Sequence, residues 1–124
     1  TYLGDDRQRI AEALSEQLPR LDGLFSPNGT STRATLAALR QLGKAGAVDF
    51  VGFDGGDLLF DAVREGQIHA LLLQQPQAMG DHAVRLVHRA LSGERAISRL
   101  QLLLEPRVLT ARELADMTAP QQPW

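Results

Sequence analysis

The stretch Val48-Asp49-Phe50-Val51-Gly52-Phe53-Asp54-Gly55-Gly56 constrains this chain more than any other. Five of its first six residues are apolar or Gly, and it ends on a carboxylate and two glycines. A short, nearly continuous apolar run bounded by Gly reads as a strand buried on both faces. Asp54 stands where that strand stops. In open parallel sheets, ligands bind in the crevice past the carboxyl ends of the strands. Gly55 and Gly56 remove side chains there, so the backbone can turn tightly or a ligand can come close. Two readings of Asp54 follow: cap of the next helix, or ligand contact.

Around this strand the pattern alternates. Thr1-Tyr2-Leu3 reads as the tail of a strand, and Gly4-Asp5-Asp6 as a turn. From Arg7, Ile10, Leu14 and Leu18 recur at helical spacing, with Asp5 and Asp6 at the positive end and Pro19 as the stop. A second short strand covers Asp22 to Ser26 and ends at the turn cluster Pro27-Asn28-Gly29. Leu36, Leu39 and Leu42 space the next helix, closed by Gly43. After Asp54, Leu58, Leu59, Ala62 and Val63 give a short helix ending at Gly66. Ile68 to Leu73 is a third strand, stopped by Gln74-Gln75-Pro76. A helix from Gln77 to Leu91 carries Met79, Ala83, Val87 and Leu91 and stops at Ser92-Gly93. Leu100 to Leu104 is a strand candidate, with a continuation through Val108-Leu109 beyond Pro106. Thr110-Ala111-Arg112-Glu113 is a capping-box pattern opening a short last helix, and Ala119 to Trp124 reads as a loose tail. Strand and helix alternating through short connections predict an α/β fold: a parallel sheet with helices on both faces and right-handed crossovers.

What stands at the strand ends is chemically coherent. Asn28 follows the second strand, Asp54 the central one and Gln74 the next, so a parallel sheet puts all three on one rim. Asn and Gln supply donor and acceptor together, and Asp accepts. That set suits a ligand covered in hydroxyls. It does not suit hydrolysis or phosphoryl transfer. No Ser/His/Asp arrangement can be placed, and the chain has no Cys. His69, His82 and His88 lack metal-ligand spacing. Neither a GxGxxG nor a Walker pattern occurs, so no cofactor and no catalysis are expected. A formal net charge of −2 makes no case for nucleic acid, and no apolar run approaches the length of a membrane span. The chain opens on Thr1, and its start reads as processed or truncated.

Three stretches together resemble a known family: Leu24-Phe25-Ser26-Pro27-Asn28, Phe50-Val51-Gly52-Phe53-Asp54, and the run from Gln67 through Gln74-Gln75-Pro76 to Met79-Gly80. In order and spacing they are similar to the C-terminal part of type I periplasmic binding proteins, best of all to ribose-like sugar-binding components of ABC transporters. Leu91-Ser92-Gly93-Glu94 resembles that family's helix end, and Val108-Leu109-Thr110 its closing strand. The resemblance implies two α/β lobes closing on a sugar, with Asn28, Asp54 and Gln74 hydrogen-bonding it and Gln74 at a hinge. Gly4-Asp5-Asp6-Arg7 resembles a segment in which an aromatic residue stacks on the sugar; Asp5 takes that place here, which counts against ribose. Residues 1–110 then read as the C-terminal lobe, 77–98 as the part that crosses to an absent N-terminal lobe, and 111–124 as a short helix and tail.

The implied protein is a periplasmic or extracellular solute-binding component that delivers a monosaccharide or similar polyol to an ABC permease. Helix 77–91 would meet either the missing lobe or a second copy of the chain. The runner-up is the effector-sensing domain of a LacI-type transcription regulator, which uses the same lobe. The run from Gly66 to Gly80 resembles the transporter branch more closely. A small flavodoxin-like enzyme ranks below both for want of a nucleophile or phosphate loop.

Overall fold

The computed structural model of the chain describes residues 6–94 and 100–117. The expected strand tail at Thr1-Tyr2-Leu3, the Gly4-Asp5 part of the first turn and the tail from Ala119 lie outside the described residues.

Helix α1, Arg7–Gln17, opens on Asp6, whose carboxylate accepts from the Gln8 and Arg9 N–H groups. A 3-10 turn, Leu18–Arg20, follows at Pro19. Strand β1 is Gly23–Phe25, helix α2 Gly29–Gln41 and strand β2 Asp49–Phe53. Helix α3 is Asp57–Arg64, strand β3 Ala70–Leu73 and helix α4 Pro76–Leu91. Strand β4, Arg107–Thr110, and helix α5, Ala111–Asp116, complete the described fold. Helix α2 ends as the sequence predicts. Gly43 takes φ +63, and the Lys44 N–H reaches the Leu39 carbonyl at 2.8 Å while Gly43 N–H reaches Arg40 at 3.1 Å, the paired bonds of a glycine-closed helix end.

The sheet order is β1-β2-β3-β4. The first three strands are parallel, with Leu24 beside Phe50 and Gly52 beside Leu71. Stepping in one direction through right-handed crossovers puts α2 and α3 on the same face. Phe50, Leu71, Leu73 and Leu109 point to that face and join Leu36, Leu39, Leu59, Phe60 and Ile10 in one core. Each fully buried Leu or Phe there contributes roughly 1.5–3 kcal/mol. Of the two faces expected to carry helices, this is the one on which α1, α2, α3 and α5 gather. The opposite face carries Phe25, Val51, Phe53, Leu72 and Val108, which stand outside that core; Phe25 and Val108 are exposed.

Two expectations are corrected. Leu100 to Leu104 is not a strand; Leu100, Leu102 and Leu103 are exposed, and the strand begins only after Pro106. The sheet is also not parallel throughout, because β4 runs antiparallel to β3 with Leu109 opposite Leu71. The reason lies in where the chain enters. Gln75, just past the end of β3, donates through Nε2 to the Glu105 carbonyl at 2.7 Å. The chain therefore approaches β4 from the rim where β3 ends, and a strand starting there must run back.

Helix α4 differs from the others. It contains no buried residue. Its half-buried positions are Ala78, His82 and Leu86, one turn apart. The apolar stripe of Met79, Val84, Val87 and Leu91 is exposed, Leu91 by 83%.

Candidate functional site

The site is built where β1, β2 and β3 stop. Pairing of β1 ends with the Ser26 N–H on the Val51 carbonyl at 3.0 Å. Pro27 turns the chain, and Asn28 becomes the N-cap of α2, its Oδ1 accepting from the Ser31 N–H at 2.9 Å. At the end of β2, Asp54 keeps one more ladder bond, from its N–H to Leu72 at 2.9 Å. It then takes φ +65, the one non-Gly residue with positive φ among the described residues. Asp is among the few side chains that tolerate this region, and such outliers gather at functional sites. Gln74 follows β3 directly and is exposed.

The structure brings these three together. Asp54 Oδ2 accepts from the Gly29 N–H, next to Asn28, at 3.1 Å. Its Oδ1 accepts from Gln74 Nε2 at 3.4 Å. Of the two readings of Asp54, capping of α3 is excluded: Gly56 is that helix's N-cap, with no side-chain bond. Asp54 instead holds a free N–H of α2, where the helix dipole favours a carboxylate. One N–H and one long amide contact leave lone pairs of the carboxylate for a ligand hydroxyl. Asp5 lies outside the described residues.

Three supporting residues were not singled out from the sequence. Thr32 is fully buried; its hydroxyl donates to the Asn28 carbonyl at 2.8 Å and accepts from the Phe53 N–H at 2.9 Å. It fills the ladder position vacated where β1 turns away, and so ties the end of β2 to the cap of α2. Gly29 leaves room for two side-chain ends. A Cβ there would stand 2.6 Å from Asp54 Oδ2 and 2.8 Å from Arg33 Nη1. Arg33 is the third, with Nη2 donating to the Gly55 carbonyl at 3.1 Å. A Thr four residues after an Asn cap is the one local signal for the first of these, since Thr bonds back to the i−4 carbonyl.

The rim offers hydrogen-bond donors and acceptors. Among the described residues, no group of three His, Cys, Asp or Glu side chains is placed to hold a metal. His69 faces Asp49 at 3.7 Å, at the start of β2 and away from the rim. A shallow cavity of about 200 Å3 lies against Gln74 and Pro76, and another of about 210 Å3 against Thr30 and Arg33. Both are smaller than the roughly 300–1,000 Å3 of complete small-molecule sites.

Residues 3–95 match the family described as periplasmic binding protein domain. The chain is similar to the ribose import binding protein RbsB of Salmonella typhimurium, 32% identical over 77 residues, which are 62% of this chain and 26% of that protein. It is also similar to the periplasmic component of an ABC-type sugar transport system from Hahella chejuensis, at 31% identity and a TM-score of 0.71 over 89% of this chain and 40% of that one. An ABC transporter solute binding protein from Agrobacterium vitis, bound with alpha-D-tagatopyranose, shares the fold with a TM-score of 0.78 at 23% identity, over 90% of this chain and 38% of that one. The chain thus spans well under half the length of each.

Proposed function

The chain belongs to the periplasmic binding protein domain family, and we propose that it forms one lobe of a two-lobed protein that binds a monosaccharide-like polyol for an ABC transporter. The observation that carries this reading is the convergence of Asn28, Gly29, Asp54 and Gln74 on one rim, around a carboxylate with lone pairs to spare. A sugar hydroxyl both donates and accepts, so it can donate to Asp54 while accepting from the Gln74 or Asn28 amide. The role is binding and delivery, not catalysis, in a periplasmic or extracellular setting. No described helix is long and apolar enough to cross a membrane, and a permease partner would do the crossing. The relatives named above are transport binding proteins, and no observation favours a LacI-type regulator.

The second lobe also accounts for α4. Its outward stripe of Met79, Val84, Val87 and Leu91 is a surface for apolar contact, and the chain leaves the sheet through Gln74-Gln75-Pro76 to reach it. Residues 77–94 would then serve the join between lobes, while β1 to β4 and α5 form the body of this one.

The test is calorimetry on the complete two-lobed protein. Hydrogen bonds to a charged group are worth about 1.5–3 kcal/mol each, so Asp54→Ala should weaken sugar binding about tenfold or more. Unchanged affinity would refute the site. The 124-residue chain alone should bind only at millimolar concentration or weaker. Its few bonds, each worth about 0.5–1.5 kcal/mol in open solvent, barely offset an association cost of about 4 kcal/mol or more.

A further inference from the structure

We infer that the sugar taken by this lobe bears a carboxylate, as a hexuronic acid does, and that Arg33, with Arg7, receives it. The inference rests on the sugar-binding reading and names the substrate class of that same rim.

Helices α1 and α2 both begin at the rim and pack along one another, with caps at Asp6 and Asn28. Between their first turns lies the cavity of about 210 Å3, lined by Arg7, Thr30, Arg33 and Ala34. It adjoins the hydroxyl-binding residues. Arg33 donates to the carbonyl of Gly55, one residue past Asp54. Its Nη1 and Asp54 Oδ2 both crowd the point where a Gly29 Cβ would stand. The guanidinium and the carboxylate thus lie near one another beside Gly29.

Arg40, two turns further along α2, is bonded to Gln67 and paired with Glu65. Among the described residues neither Arg7 nor Arg33 has a carboxylate within 4.0 Å. The bond from Arg33 to Gly55 goes to a neutral carbonyl, which holds the side chain without neutralising it. A guanidinium carries five donors in a planar fork that matches a carboxylate. Two of them on one small cavity, which Thr30 also lines, suit a single anionic group. A neutral sugar offers them hydroxyl oxygens but no opposite charge. A uronate orients itself in this field: its acid end sits against Arg33 and Arg7, and its ring hydroxyls donate to Asp54 beside Gly29. The reverse orientation sets carboxylate against carboxylate.

The probe pair is D-galacturonate and D-galactose, titrated into the 15N-labelled 124-residue chain and followed by amide and Arg side-chain NMR at low salt. Galacturonate should shift the Thr30, Gly55 and Arg33 signals at about tenfold lower concentration than galactose shifts the Asp54 region. Arg33→Leu should abolish that advantage, and Arg33→Lys should keep part of it, since charge remains while the fork is lost. Equal response to both sugars overturns the inference and leaves the sugar-binding reading standing. Acetate acting as well as galacturonate also overturns it, because the cations then form a general anion patch. No response to either sugar at concentrations well above the millimolar range defeats both.

Discussion

Replacing Thr32 by Val isolates one bond that links the fold to the site. Val preserves the shape of Thr and removes only the hydroxyl. Thr32 is fully buried, so water cannot substitute for what is lost. The Asn28 carbonyl keeps the Thr32 N–H at 2.9 Å and the Ser31 hydroxyl at 3.0 Å, and it tolerates the change. The Phe53 N–H does not. Its partner in the structure is the Thr32 hydroxyl at 2.9 Å, and β1 has already turned away at Ser26. A buried donor left unsatisfied costs about 1–3 kcal/mol. For a chain of this size, each kcal/mol lowers the melting temperature by roughly 3–5 °C. Calorimetry should therefore show a fall of about 3–15 °C for Thr32→Val. The change falls at Phe53, next to Asp54, so amide exchange at Phe53, Asp54 and Gly55 should quicken more than at Leu71 in the middle of β3. An unchanged melting temperature, or exchange that rises evenly over the sheet, would refute the view that this hydroxyl replaces a strand at the end of the ladder.

Gly52→Ala should destabilise by about 1–3 kcal/mol through overpacking, read by urea denaturation, because the new methyl would lie 2.4 Å from Thr32 Cγ2 and 3.0 Å from Leu71 Cδ2. The chain without a second lobe should self-associate through α4, where Val84, Val87 and Leu91 are all more than half exposed. Val87→Asp with Leu91→Gln should shift sedimentation velocity toward monomer, and a wild-type chain already monomeric at high concentration would contradict this. Helix α5 should loosen in acid. Bonds from the Thr110 hydroxyl, and then from backbone N–H groups, hold the Glu113 carboxyl below its usual range. A depressed carboxylate supports folding above its unfolded pKa and loses that support as pH falls through the folded one. Amide protection in α5 should therefore drop in mild acid, and Glu113→Gln should flatten the dependence.

The order of elements was legible in the sequence because its signals are local. Apolar runs ended by Gly or Pro mark β1, β2 and β3. Acids at the start of α1, the turn cluster at Asn28, the capping box at Thr110 and the glycine at 43 mark helix ends; that Asp6 and Asn28 are themselves the caps is seen only in the structure. Alternation with short connections then placed Asn28, Asp54 and Gln74 on one rim without any contact being known, since successive parallel strands all end on the same side. What those residues do to one another was not legible. Asp54 meets Gly29 across 25 positions, Gln74 across 20, and Phe53 meets Thr32 across 21. No local propensity encodes a partner that far away. Strand β4 shows the same limit: three apolar residues in a row, Leu102 to Leu104, satisfy a strand pattern, yet pairing requires an edge, and it is Arg107 to Thr110 that lie where β3 offers one. Periodicity made α4 amphipathic, but only the tertiary structure turned its apolar stripe away from its own core. A hydrophobic face specifies that something must cover it, and the packing of the whole protein decides what does.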